Sequence, residues 1–215
     1  MGIDISVKLC GFTSKQTLDI AVNSGANLIG FIFHKNSPRN IEPFKAGELT
    51  ANLPNKIKKV AVICDADNQK IKEIIFDLKP HFLQLHGEET PKRIQEIKNS
   101  FNLPIIKAIG VADKNDLDQI KFYEDVADIL LFDTKIKNDF GGSGKTFDWK
   151  ILQNLQTEKK WFLSGGLNIN NIEEALKITN AKMIDLSSGI EETKGVKSGK
   201  LITDFMNKMS ELNKL

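Results

Sequence analysis

Two side chains in this sequence have the chemistry and the position to move protons. Cys10 ends the run Val7-Lys8-Leu9-Cys10, and Asp133 ends the otherwise apolar run Ile129-Leu130-Leu131-Phe132-Asp133. A thiol becomes a base or nucleophile on ionising, and a nearby cation lowers its pKa; Lys8, two residues earlier, shares the strand face of Cys10. A carboxyl in a low-dielectric pocket mouth holds its proton to higher pH, which suits a general acid. Both residues also have plainer explanations. Free cysteine is commonly a small buried hydrophobe, and a strand-end aspartate commonly caps a turn.

Glycine-rich segments point to the ligand. Ser164-Gly165-Gly166 and Asp185-Leu186-Ser187-Ser188-Gly189 each follow an apolar run near the end of the chain. Glycine lets backbone N–H groups approach an anion closely, and serine adds hydroxyl donors, so these turns predict a phosphorylated small molecule. Gly141-Gly142-Ser143-Gly144-Lys145-Thr146 resembles a nucleotide-binding loop, but Asp139 stands where that pattern needs its first glycine. A connection of this length after Asp133 reads instead as a mobile lid, with Gly142 and Ser143 over the substrate. Of 30 basic residues only Arg39 and Arg93 are arginine, so Arg39, in a loop, hints at a planar carboxylate partner. His86, in Gln84-Leu85-His86-Gly87, is a candidate donor on the pocket wall. His34 and His81 read as structural or exposed, and no histidine has metal-ligand spacing.

The elements that must position these groups alternate eight times. Strands are predicted at Val7–Cys10, Asn27–Phe33, Lys59–Cys64, Phe82–His86, Ile105–Ile109, Asp128–Asp133, Trp161–Ser164 and Met183–Leu186. Helices are predicted near 14–24, 43–53, 68–78, 90–99, 113–122, 148–155, 170–178 and 198–212, with start signals at Ser14, Asp67, Thr90-Pro91, Asp113, Asp148 and Asn170. Parallel neighbours need long crossovers, so the pattern predicts a parallel sheet; eight units close into a (β/α)₈ TIM barrel, an open doubly wound sheet being the competing solution. Alternation turns Lys8, Cys10, Gln84, His86, Ile129, Leu131 and Asp133 inward. The polar members fall at or near carboxyl ends of strands, where such barrels build active sites and, after strands 7 and 8, grip phosphate.

The 215 residues, 40% hydrophobic and 27% charged with a net charge of +2, fit a single globular domain over 1–215. No basic block suggests nucleic acid, and no apolar run approaches a membrane span. The N-terminus lacks a signal-peptide pattern, and Cys10 and Cys64 lack disulfide or zinc spacing, so a cytoplasmic enzyme is expected.

The segments V-K-L-C-G-F-T (7–13), G-F-I-F-H-K-N-S-P-R (30–39), Q-L-H-G-E-E (84–89), L-L-F-D-T (130–134), G-G-S-G-K-T-F-D-W (141–149), L-S-G-G-L-N (163–168) and D-L-S-S-G-I-E (185–191) run in order along the whole chain. Together they resemble the phosphoribosylanthranilate isomerases of tryptophan biosynthesis. The resemblance implies an Amadori rearrangement of N-(5′-phosphoribosyl)anthranilate, with Cys10 as general base and Asp133 as general acid. It also implies Arg39 at the anthranilate carboxylate, glycine loops at the phosphate, no metal or organic cofactor, and a monomer or homodimer. Asn40 departs from the aromatic residue usual after that arginine. The rivals are a histidine-pathway barrel isomerase, which relies on paired aspartates in two half-barrels, and a catalytically idle barrel that only binds phosphate ligands.

Overall fold

The computed structural model describes residues 5–135 and 146–214. Most of the expected lid, including Gly142 and Ser143, lies outside the described residues. The β-branched runs form eight parallel strands: β1 Ser6–Cys10, β2 Leu28–Ile32, β3 Lys58–Ile63, β4 Phe82–Leu85, β5 Ile105–Val111, β6 Ile129–Thr134, β7 Lys160–Leu163 and β8 Met183–Leu186. They pair in sequential order and close, β8 against β1, into a barrel. The helices are α1 Lys15–Asn23, α2 Pro43–Thr50, α3 Asn68–Leu78, α4 Pro91–Phe101, α5 Ile120–Tyr123, α6 Ile172–Thr179 and α7 Gly199–Leu212. Among the described residues no helix is long and apolar enough to cross a membrane.

Local chemistry sets the boundaries. Ser14, Asp67 and Thr90 accept hydrogen bonds from Thr17, Lys70 and Arg93 N–H groups, so each caps the helix it precedes. Asp113 and Asp116 form a capping box, but the element they start is a 3₁₀ helix, Lys114–Gln119, running into the short α5. The helix expected over 148–155 is only a 3₁₀ turn, Trp149–Leu152. Its buried side chains, Trp149 and Leu152, are three residues apart, and a period of three stacks them on one side. One element was not expected: the antiparallel pair β9 Glu191–Thr193 and β10 Val196–Lys197, which comes after β8.

Alternation along the strands sorts the apolar residues into two cores. Val7, Leu9, Leu83, Leu85, Leu130 and Phe132 face the helices, whereas Cys10, Leu28, Val60, Val62, Ile106, Ile129, Leu131 and Phe162 fill the barrel interior. The inward set matches the predicted phase of β1, β4 and β6. Lys8, Gln84 and Asp185 are buried too.

Candidate active site

A cleft opens over this interior. Of the residues singled out in the sequence, Cys10, Arg39, His86, Asp133, Gly165, Gly166, Asp185, Ser187 and Ser188 all line it. Thus the thiol of β1 and the carboxyl of β6 open into the same space. Gly189 does not line the cleft. A Cβ there would lie 1.9 Å from the Leu167 carbonyl oxygen, so glycine lets the segments after β7 and β8 lie against each other.

Cys10 is held where β1 pairs with β2. Gly30 stands opposite it in register, and a Cβ on Gly30 would come within 2.6 Å of the Cys10 Sγ. Glycine at that site makes the room in which the thiol sits. Beneath it, the Lys8 Nζ donates to Asp185 Oδ1 at 2.8 Å, a fully buried pair in register across the β1–β8 seam. Burial works against the Lys8 charge, but Asp185 and then Cys10 more than restore it, and the ammonium is held above its usual pKa. The expected depression of the Cys10 pKa by Lys8 does not occur. Burial pushes the thiol up, and Lys8 and Lys197 only partly oppose this while the Asp185 charge adds to it. Lys8 does act on the sulfur, but burial outweighs it.

Asp133, near the end of β6, has its Oδ1 accepting from the Thr134 N–H at 2.7 Å. Its Oδ2 lies 3.3 Å from the His86 Nε2. His86 is in turn 3.0 Å, through Nδ1, from the side-chain Nε2 of Gln84. Gln84 Oε1 is buried and finds no partner among the described residues, a burial that costs about 1–3 kcal/mol.

The third group of contacts was not legible in the sequence. Arg39 does have a planar carboxylate partner, but within the chain: Nε and Nη2 donate to Glu191 Oε1 and Oε2 at 2.7 and 2.8 Å. Glu191 also accepts from Lys197 Nζ at 2.7 Å and Gly195 N–H at 3.0 Å. Burial raises the Glu191 pKa, yet Arg39, Lys197 and the Gly195 amide outweigh it and hold the carboxyl at about 2. Burial draws Lys197 down to about 8, with Glu191 pulling the other way. Lys197 Nζ donates onward to the Ser187 carbonyl and hydroxyl oxygens at 2.8 and 3.2 Å, and the Ser187 hydroxyl donates to the Cys10 carbonyl at 3.1 Å. This hydroxyl, expected to face an anion, instead ties β8 to β1. His34 and Cys64 also line the cleft. Burial, with help from Glu89 and Asp65, pushes the Cys64 thiol up to about 12, which leaves it unreactive.

A buried acid and a buried thiol lining one cleft, with glycine loops beside them, fit proton transfer on a small anionic substrate. Residues 7–208 match the family described as N-(5′-phosphoribosyl)anthranilate (PRA) isomerase. The chain is 44% identical over 207 residues to the N-(5′-phosphoribosyl)anthranilate isomerase of Nitrobacter winogradskyi, covering 95% of this chain and 92% of that one. It is similar to the crystal structure of phosphoribosyl anthranilate isomerase from Thermotoga maritima, with a TM-score of 0.88, 32% identity and coverage of 96% and 99%. A further phosphoribosyl anthranilate isomerase structure is in complex with reduced 1-(o-carboxyphenylamino)-1-deoxyribulose 5-phosphate; its TM-score is 0.83, at 28% identity and coverage of 96% and 99%.

Proposed function

The chain belongs to the N-(5′-phosphoribosyl)anthranilate isomerase family, and we propose that it runs the family reaction with Cys10 as general base and Asp133 as general acid. The reaction converts N-(5′-phosphoribosyl)anthranilate into 1-(2-carboxyphenylamino)-1-deoxyribulose 5-phosphate, a step of tryptophan biosynthesis. Asp133 gives a proton to the ribose ring oxygen, the C1′–O bond breaks, and the nitrogen lone pair forms an iminium. Cys10, its own proton first passed to solvent through the open cleft, then takes the C2′ proton as thiolate. The electron pair neutralises the iminium to an enolamine, which relaxes to the ketone. C1′ is reduced as C2′ is oxidised, so no outside electron carrier enters the balance.

The order of these steps suits the sulfur's surroundings. Burial favours the neutral thiol at rest, with Lys8 and Lys197 opposing it. The iminium charge adds a third cation close to the sulfur at the step that needs a base, and opposite charge favours the ionised form. Arg39, anchored by Glu191, would face the anthranilate carboxylate, and the turns at Gly165-Gly166 and Ser187-Ser188 would hold the phosphate. The 215 residues then act as one catalytic domain, in the cytoplasm, where a free thiol stays reduced.

The observation that carries this reading is the shared cleft of Cys10 and Asp133, brought together from β1 and β6. Its test monitors the loss of substrate fluorescence with freshly made phosphoribosylanthranilate. Cys10→Ala and Asp133→Asn should each lower kcat by about 10²-fold or more, the scale for losing a positioned acid or base. Wild-type rates in either variant would remove that residue from the chemistry.

A further inference from the structure

We propose that Gln84 is a positioning residue: its side-chain amide fixes the proton of His86 on Nε2, so that the imidazole offers an N–H to the carboxylate that Asp133 becomes when it gives up its proton. The proposal rests on the reading of Asp133 as the acid.

Gln84 is 1% exposed, in the middle of β4, with Val62 of β3 and Ile106 of β5 beside it in register. Both neighbours belong to the apolar barrel interior. A leucine or methionine would fill this place without burying an amide. One end of the amide meets the His86 Nδ1 at 3.0 Å, and the other finds no partner among the described residues. Turning the amide over would bury an unpartnered NH₂ in place of an unpartnered carbonyl oxygen, and orphaned buried N–H groups are the rarer of the two. Gln84 Nε2 therefore donates and Nδ1 accepts. A neutral imidazole that accepts at Nδ1 carries its proton on Nε2.

That nitrogen lies 3.3 Å from Asp133 Oδ2. Oδ1 already accepts from the Thr134 N–H at 2.7 Å. Both carboxylate oxygens then face donors, and hydrogen bonds to the charged form favour it. Asp133 loses its proton to the ring oxygen, while the imidazole keeps its own proton on Nε2 throughout. With the opposite tautomer, a bare Nε2 lone pair would face the new carboxylate.

The test uses ¹⁵N-labelled full chain, and the two-bond ring correlations of His86 report the tautomer. The protein has three histidines, and His86→Asn assigns the signal. Wild type should give the Nε2–H pattern. Gln84→Met, which cannot donate, should give a mixed or Nδ1–H pattern. Gln84→Glu, which can only accept when ionised, should give an Nδ1–H pattern or the imidazolium. In Gln84→Met kcat should fall about tenfold, a part of the about 10²–10⁴-fold that a positioned acid contributes. Its Tm should hold or rise, because an unpartnered amide end has left the interior; a residue that served only stability would lower Tm and leave kcat alone. An Nδ1–H pattern in wild type would overturn the proposal, and that measurement needs no variant to fold. So would Gln84→Met with an unchanged tautomer and kcat within about twofold of wild type. Should Asp133→Asn retain full activity, the acid assignment fails instead, whatever the tautomer.

Discussion

Glu191→Gln is the substitution whose cost the structure specifies most fully. The carboxylate accepts from Arg39 at 2.7 and 2.8 Å, from Lys197 at 2.7 Å and from the Gly195 amide at 3.0 Å. The side chains of Arg39, Glu191 and Lys197 are each 3% exposed or less, so water cannot take the place of the lost charge. Removing one partner of a buried ion pair costs about 3–5 kcal/mol, because the other is left buried and uncompensated. Glutamine keeps one carbonyl oxygen to accept, which puts the expected loss at the lower end, about 3 kcal/mol, against a total stability of about 5–15 kcal/mol. In urea, with m of about 1–3 kcal/mol/M, the midpoint should drop by about 1 M or more at unchanged m. Adding Lys197→Met should recover part of the loss, since one orphaned cation goes with it, and the two sites should couple by about 0.5–3 kcal/mol.

The same carboxylate gives a pH signature. Its pKa is depressed from the ordinary 4.5 to about 2 in the folded chain, so its contribution is complete above about 4.5 and is lost as pH falls toward 2. Glu191→Gln should flatten the stability profile across that window. Substrate KM should rise in the variant, because Arg39 loses its anchor. A urea midpoint within about 0.2 M of wild type would refute the reading of Glu191 as the buried charge that compensates Arg39 and Lys197.

Gly30→Ala should lower kcat by about tenfold or more with the far-UV spectrum unchanged, because the added Cβ would stand 2.6 Å from the Cys10 Sγ and displace it. Full activity in Gly30→Ala would mean that the sulfur position does not matter. Both thiols are pushed up by burial, Cys64 to about 12. Iodoacetamide should therefore label the folded chain slowly at neutral pH, and faster in urea or at higher pH. Rapid labelling of either thiol in the folded protein would contradict that.

What the sequence made legible was periodic or local. Val7-Lys8-Leu9-Cys10 alternates apolar with other residues, Asp133 sets the phase of the apolar run before it, and both strands turned the expected faces inward. Ser14, Asp67 and Thr90 announced their helices because a cap needs only three or four residues of chain. The illegible parts depend on partners far away. Lys8 finds Asp185 across 177 residues and Arg39 finds Glu191 across 152. No local pattern says how completely the barrel buries the thiol, and that burial outweighs Lys8 and moves the thiol pKa opposite to expectation. The hairpin escaped notice because Glu191–Thr193 and Val196–Lys197 are too short and polar to show alternation. Gln84 was recognised as inward, but its effect lies in a ring nitrogen two residues on.

The seam between β1 and β8 has a consequence for how the protein comes into being. Its ties join Lys8 to Asp185 and the Cys10 carbonyl to Ser187, and the support for Ser187 is Lys197. Contacts between such distant residues form late, since a long loop must close before they give anything back. A nascent chain emerging from the ribosome can thus shape helices and neighbouring strands early, yet stay inert until its final stretch arrives. Competence for turnover should switch on in one step, at the moment the cylinder shuts.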